Sequence, residues 1–338
     1  MELLRNADLA PLTTFGVPAR AEVLARFRDV DQLRSLLMAP ELAGMPRMVL
    51  GGGSNVLFTR DFPGAVLVNE VPGIRVVSED DHHVWLQAGA GEVWHTLVLH
   101  AVDQGWGGLE NLSLIPGKVG AAPMQNIGAY GVELKDTFVE LEALRVADGE
   151  AVTFGREGCA FGYRESFFKR EGKDRFIILN VTFRLAKDPE LNTSYGAIRE
   201  VLFERGITDP GVKEVSDAVI AIRRSKLPDP KELGNAGSFF KNPVVPEADY
   251  QRIRQAHPDV VAYPAGDGLR KLAAGWLIER AGWKGHRGNG HGVHAAQALV
   301  LVNHGGARGA DIEALSRRIM DDILARFGVE LEREVNII

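Results

Sequence analysis

The 338-residue chain reads as an α+β protein of two or three domains. Three observations carry that reading. The length exceeds what one hydrophobic core usually serves. Strand-like runs follow helical ones in some places and form hairpins in others, which a purely alternating parallel sheet would not produce. Hydrophobic residues make up 45% and charged residues 25%, the balance of a globular chain rather than a disordered one.

Taken in order, Asp31 is placed to cap a helix through Leu33, Leu36 and Leu37, and Met48-Val49-Leu50 then reads as a short buried strand. Gly64 to Val68 is a second strand. Val93, Trp94, Leu97 and Ala101 recur at helical spacing, with Gly105 as the stop. Leu144-Arg145-Val146 and Val152-Thr153-Phe154 flank Asp148-Gly149 as a hairpin. Ile177 to Leu185 is a longer strand. The helix carrying Val215, Ala218, Val219 and Ile222 ends at Leu227-Pro228-Asp229-Pro230, because a residue before proline is pushed out of the helical region. A new domain starts near that break. Its helices are expected at Lys271 to Ala281, stopped by Gly282, and at Ile312 to Phe327, stopped by Gly328. In the tail, Val329, Leu331, Arg333, Val335 and Ile337 alternate with Glu330, Glu332, Glu334 and Asn336, the pattern of a half-buried strand.

Composition narrows the function. The net charge of −6 argues against nucleic acid as main partner, since affinity for a phosphate backbone needs a basic face. No apolar run approaches the roughly 18 residues that span a bilayer. The start, Met-Glu-Leu-Leu-Arg-Asn, lacks a secretion signal. The one cysteine, Cys159, fits a reducing compartment, and the cytoplasm is the expected location. His286, His291 and His294 lie within nine residues, but no cysteine or carboxylate joins them at ligand spacing, so no metal site is expected.

Five stretches could carry chemistry, the last being the tail, whose three glutamates by themselves read as a solvated face. In Leu50-Gly51-Gly52-Gly53-Ser54-Asn55, glycines directly after a strand let backbone N–H groups turn toward a phosphate. Val56 stands where the Rossmann pattern needs a glycine, and no Gly-Lys-Ser/Thr follows as in a Walker loop, so both familiar loops are excluded. An ordinary glycine turn remains open. The run from Gly107 to Gly131 is too apolar for a solvated linker and too aperiodic for a helix, and its small residues allow backbone to approach a flat ring, with a packed structural loop the other reading. Arg164, in Gly162-Tyr163-Arg164-Glu165-Ser166, reads by itself more readily as a surface ion-pair partner than as a catalytic cation. Ser238 follows Gly237 but lacks the Gly-x-Ser-x-Gly frame of an acyl-transfer nucleophile.

Together these stretches resemble the UDP-N-acetylenolpyruvoylglucosamine reductase (MurB) family. The likeness takes in Thr14-Phe15-Gly16-Val17, residues 51–57, 115–134, 162–169, 226–230, 234–243, 271–285, 292–303 and 331–335, nearly the whole chain in order. It implies a two-lobed FAD-binding domain of the vanillyl-alcohol-oxidase type plus a C-terminal α+β substrate domain. The lobes would be residues 1–72 and 73–222 and the substrate domain 223–328, with 329–338 returning to the active site. It further implies non-covalent FAD, NADPH as hydride donor, and a UDP-sugar enolpyruvyl ether as substrate, reduced to UDP-N-acetylmuramate for peptidoglycan. No obligate protein partner is implied.

By the same resemblance, Gly51, Gly52, Gly53, Ser54 and Asn55 would hold the pyrophosphate. Pro116, Gly117, Gly120, Ala121, Asn126 and Gly128 would line the flavin. Arg164, Ser238 and Glu334 match the catalytic positions, and Tyr163, Tyr195, Lys226, Asn242 and Gln297 the substrate contacts. Two positions depart from the family's pattern: Thr13 replaces a common Asn, and Asn336 a common basic residue. Two other readings stay open, an oxidase of the same broad fold and a nucleotide-sugar-binding protein without catalysis.

Overall fold

The structure, a computed structural model, describes residues 2–338. They form two compact units. The first takes in the chain up to Ala7, Ala21–Gly52 and Pro63–Ser225; the second takes in Asp8–Arg20, Gly53–Phe62 and Lys226–Ile338.

The first unit is built largely on two sheets. In the four-stranded sheet Arg20–Phe27 and Phe62–Asn69 lie between the edge strands Leu4–Asp8 and Arg47–Leu50. Arg47–Leu50 runs parallel to Phe62–Asn69, with Leu50 opposite Val68, so the glycine turn begins at the strand's carboxyl end. The five-stranded sheet is antiparallel and runs Ala151–Gly155, Phe138–Arg145, Phe176–Ala186, His83–Gly89, Ile74–Glu79. Its first pair is the expected hairpin, with Leu144 opposite Ala151. Helix Trp94–Asp103 lays Trp94, Leu97, Val98 and Ala101 against Leu86, Val181 and Phe183. Full burial of one such large side chain is worth about 1.5–3 kcal/mol.

Helix Val30–Leu37 turns Leu33 and Leu36 inward, but Asp31 is not its cap. Asp29 is: its backbone is extended, and its carboxylate accepts the Gln32 amide at 2.8 Å. Asp31 falls in the first turn and pairs with Arg34 at 3.4 Å. Helices Gly196–Glu204 and Val212–Lys226 share a small core of Ile198, Leu202, Val215, Ala218, Val219 and Ile222.

The second unit holds two three-stranded sheets. One runs Gly234–Ser238, Val300–Asn303, His291–Val293; the other runs Val244–Pro246, Leu269–Leu272, Ala262–Pro264. Helix Gly309–Phe327 ends at Gly328 as expected and buries Ile312, Leu315, Ile319 and Ile323 in a core with Phe15, Leu57, Phe239 and Phe240. The helix expected at Lys271 to Ala281 is shorter, Ala274–Arg280. Lys271 and Leu272 are strand residues, and Lys271 pairs with Val244 and Tyr263. The helix starts where Oδ1 of Asn242 accepts the Ala274 amide at 2.9 Å, a cap too distant in sequence to read locally. The tail keeps its alternation, with Val329, Leu331 and Val335 buried, yet its regular strand is only Asn336–Ile337, parallel to Val56–Leu57. Among the described residues no helix is long and apolar enough to cross a membrane.

Candidate active site

The glycine loop after Leu50 presses on the second glycine-rich stretch. A Cβ on Gly52 would stand 2.9 Å from Cα of Gly117, so any side chain there would force the two backbones apart. In the second unit Gly53 has φ +59, and its carbonyl accepts the Thr14 amide at 3.1 Å. The amides of Gly52, Gly53 and Ser54 donate to no acceptor of the chain among the described residues. Three successive donors left over in a turn are what an oxyanion needs. Asn55 has a structural task as well. Its side-chain amide donates to the Glu334 carbonyl at 3.2 Å, and its own carbonyl accepts from the backbone and side chain of Asn336 at 3.1 and 2.9 Å. Asn336, where a basic residue was expected by resemblance, thus stitches the tail to the loop.

Residues 115–131 form only short 3-10 turns and the two-residue strand Gly128–Ala129, paired with Val132–Glu133. Gly120 donates to Ala90 at 2.9 Å, and the space where its side chain would stand is filled by Ala90, so part of its smallness serves packing within the fold. Asn126, fully buried with φ 44, donates from its side chain to Glu133 and to the Gly162 carbonyl, both at 3.0 Å, and accepts the Lys135 amide at 3.0 Å. Pro116 and Ala121 are exposed; Gly117 and Gly128 are half-buried.

Arg164 sits in the turn closed by the Gly162–Glu165 bridge, itself at φ 54. Nη2 donates to the Gly128 carbonyl at 2.6 Å, and its carbonyl accepts Nζ of Lys169 at 3.3 Å. The guanidinium lies 5.3 Å from the ring centroid of Tyr163. Arg164 and the second glycine-rich stretch are therefore parts of one hydrogen-bonded assembly.

In the second unit Ser238 closes strand Gly234–Ser238, opposite Val300. The register slips between Asn235 and Ser238, with Gly237 at φ +68 and its amide held by Oδ1 of Asn235 at 2.9 Å. Such an irregularity re-aims a side chain. Alongside runs the tail: Lys241 donates to the Glu332 carbonyl, and Glu334 to the Phe239 carbonyl at 2.8 Å, which sets Glu334 beside the residue after Ser238. The other expected contacts belong to separate elements. Tyr195, exposed, precedes helix Gly196–Glu204 and meets the Tyr130 ring edge-on at 5.2 Å. Lys226 is exposed at the end of its helix, Asn242 caps Ala274–Arg280, and Oε1 of Gln297 accepts the Leu299 amide at 3.3 Å. A surface cleft lined by Trp283, His286, Arg318 and Asp322 contains none of these residues.

Against known proteins, residues 229–338 match the family described as UDP-N-acetylenolpyruvoylglucosamine reductase, C-terminal domain, and residues 21–155 match FAD binding domain. The reductase of that name from Pseudomonas aeruginosa is 53% identical over 337 residues, covering 100% of this chain and 99% of that one. Its counterpart from Burkholderia cenocepacia is 54% identical over 336 residues, 99% of this chain and 96% of that one. The chain belongs to the UDP-N-acetylenolpyruvoylglucosamine reductase family. Its fold is shared with the crystal structure of the Thermus caldophilus reductase of that name, with a TM-score of 0.69 at 24% identity over 99% of this chain and 98% of that one. It is shared more loosely with 6-hydroxy-D-nicotine oxidase of Arthrobacter nicotinovorans, at 0.53 and 14% over 97% and 86%. The expected α+β fold with an FAD-binding domain and a reductase C-terminal domain is thereby established.

The cofactor of that family fits the residues present. The unpaired amides of Gly52, Gly53 and Ser54 suit a pyrophosphate. His95 and Arg223 stand at the second glycine-rich stretch. His95 lies in the first turn of helix Trp94–Asp103 and Arg223 near the end of helix Val212–Lys226, and neither stands out in the sequence.

Proposed function

We propose that the chain catalyses the NADPH-driven, FAD-dependent reduction of UDP-N-acetylglucosamine enolpyruvate to UDP-N-acetylmuramate, a peptidoglycan precursor. The observation that carries this reading is identity of 53% along the entire length of a reductase of that name. When bound, FAD supplies the hydride relay from NADPH to the vinyl carbon of the substrate. Residues 1–72 and 73–222 are its two lobes and 223–328 the substrate part, in the cytoplasm, where the lone buried Cys159 stays reduced.

Roles for individual residues follow from the chemistry. Hydride addition drives negative charge onto the substrate's carboxylate and adjoining carbon. Arg164 opposes that charge with a planar, permanently protonated fork, already oriented by Gly128. A preorganised donor of this kind is worth on the order of 10²–10³ in rate. Ser238, itself half-buried, gives a proton to the adjoining carbon. Glu334, held beside it by the Phe239 carbonyl, bonds the developing acid. Tyr163, Tyr195, Lys226, Asn242 and Gln297 bind the nucleotide sugar.

The test is NADPH consumption with and without the enolpyruvyl substrate, with the product identified by mass. Consumption that depends on the substrate and yields UDP-N-acetylmuramate is expected. Oxygen-dependent oxidation of an alcohol, indifferent to that substrate, would instead place the chain with the oxidases of the same broad fold.

A further inference from the structure

The flavin-lining stretch is entered through Leu114, whose φ is +57. Left-handed backbone is unfavourable for a residue with a branched side chain and persists only where its surroundings over-determine it. Here both polar groups of the residue are gripped. Its N–H donates to Nδ1 of His95 at 3.0 Å, and its carbonyl accepts from Nε of Arg223 at 3.2 Å. His95 belongs to helix Trp94–Asp103 and Arg223 to helix Val212–Lys226, so two separate helices hold one residue. The hold continues one position earlier, where the buried hydroxyls of Ser113 and Ser216 lie 2.8 Å apart. Arg223 is in turn hydrogen-bonded to the phenol of Tyr130, at the far end of the same stretch.

We propose that His95 is a positioning residue for the flavin: with Arg223 it fixes Leu114 in the left-handed conformation and so sets the course of Ile115-Pro116-Gly117. The proposal rests on the reading that residues 116–128 line FAD. An accepting Nδ1 requires a neutral ring with its proton on Nε2. Partial burial and then the cations of Arg224 and Arg223 keep it so, holding its pKa below the usual histidine value.

Two variants and the unaltered protein decide the matter. His95→Phe keeps a ring but removes the acceptor; His95→Asn returns a carbonyl oxygen close to the position of Nδ1. FAD affinity of the apo-protein is read from flavin fluorescence, alongside the visible spectrum of bound flavin and the apo-protein's melting temperature. His95→Phe is expected to weaken FAD binding on the order of tenfold and to alter the flavin band, since an amide is left unpaired, and His95→Asn to recover most of the loss. Unchanged affinity in His95→Phe overturns the proposal. So does a loss matched by an equal fall in apo-protein stability that His95→Asn does not repair, which would mark a general structural role. If the unaltered protein takes up no FAD, the flavin reading itself falls, and the proposal with it.

Discussion

Arg164 and Ser238 are aimed by opposite means. Arg164 carries unfavourable backbone itself, at φ 54, and is kept there by its bond to Gly128, by Lys169 and by the Gly162–Glu165 turn. Ser238 has no such burden: the preceding Gly237 takes the left-handed turn at φ +68, where glycine pays little, and two strands carry the serine. A side chain of five donors needs its own anchor, because a flexible stem loses orientation unless the backbone and head are both fixed. A hydroxyl one bond from the backbone needs only the strand. The difference makes Arg164 sensitive to changes throughout its loop and Ser238 sensitive to one glycine.

That contrast can be broken by substitution, and the largest effect is expected at Ser238. Ser238→Ala should lower kcat by about 10²–10⁴, the usual worth of a positioned proton donor, with the fold intact. Arg164→Lys should come next, lowering kcat by about 10²–10³ with a smaller change in KM, because lysine keeps the charge and loses the fork. A raised KM at unchanged kcat would show that Arg164 anchors the ground state only. Gly237→Ala meets no atom within 4 Å of the new Cβ, so its cost is backbone strain alone, about 1–2 kcal/mol in a denaturant titration, together with slower turnover as Ser238 shifts. Unchanged stability would mean that the turn does not depend on glycine.

The smallest expected effect is that of pH on FAD affinity. Protonation would make Nδ1 of His95 a donor facing the Leu114 N–H. Since burial, Arg224 and Arg223 depress its pKa, the neutral form is favoured in the assembled site. The contribution is therefore fully present above about pH 6.5 and is lost as pH falls through the lowered value. Fluorescence titration of FAD should be level above pH 7 and weaken below pH 6.5, and Arg224→Gln should move the decline to higher pH. A profile unaffected by Arg224→Gln would separate His95 from the pH dependence.

Much of the fold was legible locally. The Leu144/Ala151 hairpin, the Gly105 and Gly328 stops and the helix break before Pro228 each depend on neighbours within a few residues. The misplacements have a shared cause: competing partners. Asp29 and Asp31 both suit a helix start, and only the extended backbone at Asp29 separates them. Lys271-Leu272-Ala273-Ala274 has helical propensity throughout, but Val244 and Tyr263 claim Lys271 for a sheet. For the candidate site, the sequence offers residue types but not their supports. Nothing near Asn55 in sequence shows that it holds Glu334, 279 positions on, or that Leu114 hangs between His95 and Arg223.

Division of labour between the two regions is tested most directly by following flavin absorbance in stopped flow, one half-reaction at a time, in Ser238→Ala. Reduction by NADPH needs no proton on the sugar's carbon, whereas reoxidation by the enolpyruvyl substrate does. The expected result is reduction at the rate of the unaltered protein and reoxidation slower by about 10²-fold or more. Reoxidation at the unaltered rate, or equal slowing of both steps, would contradict the assignment of Ser238 as the proton donor.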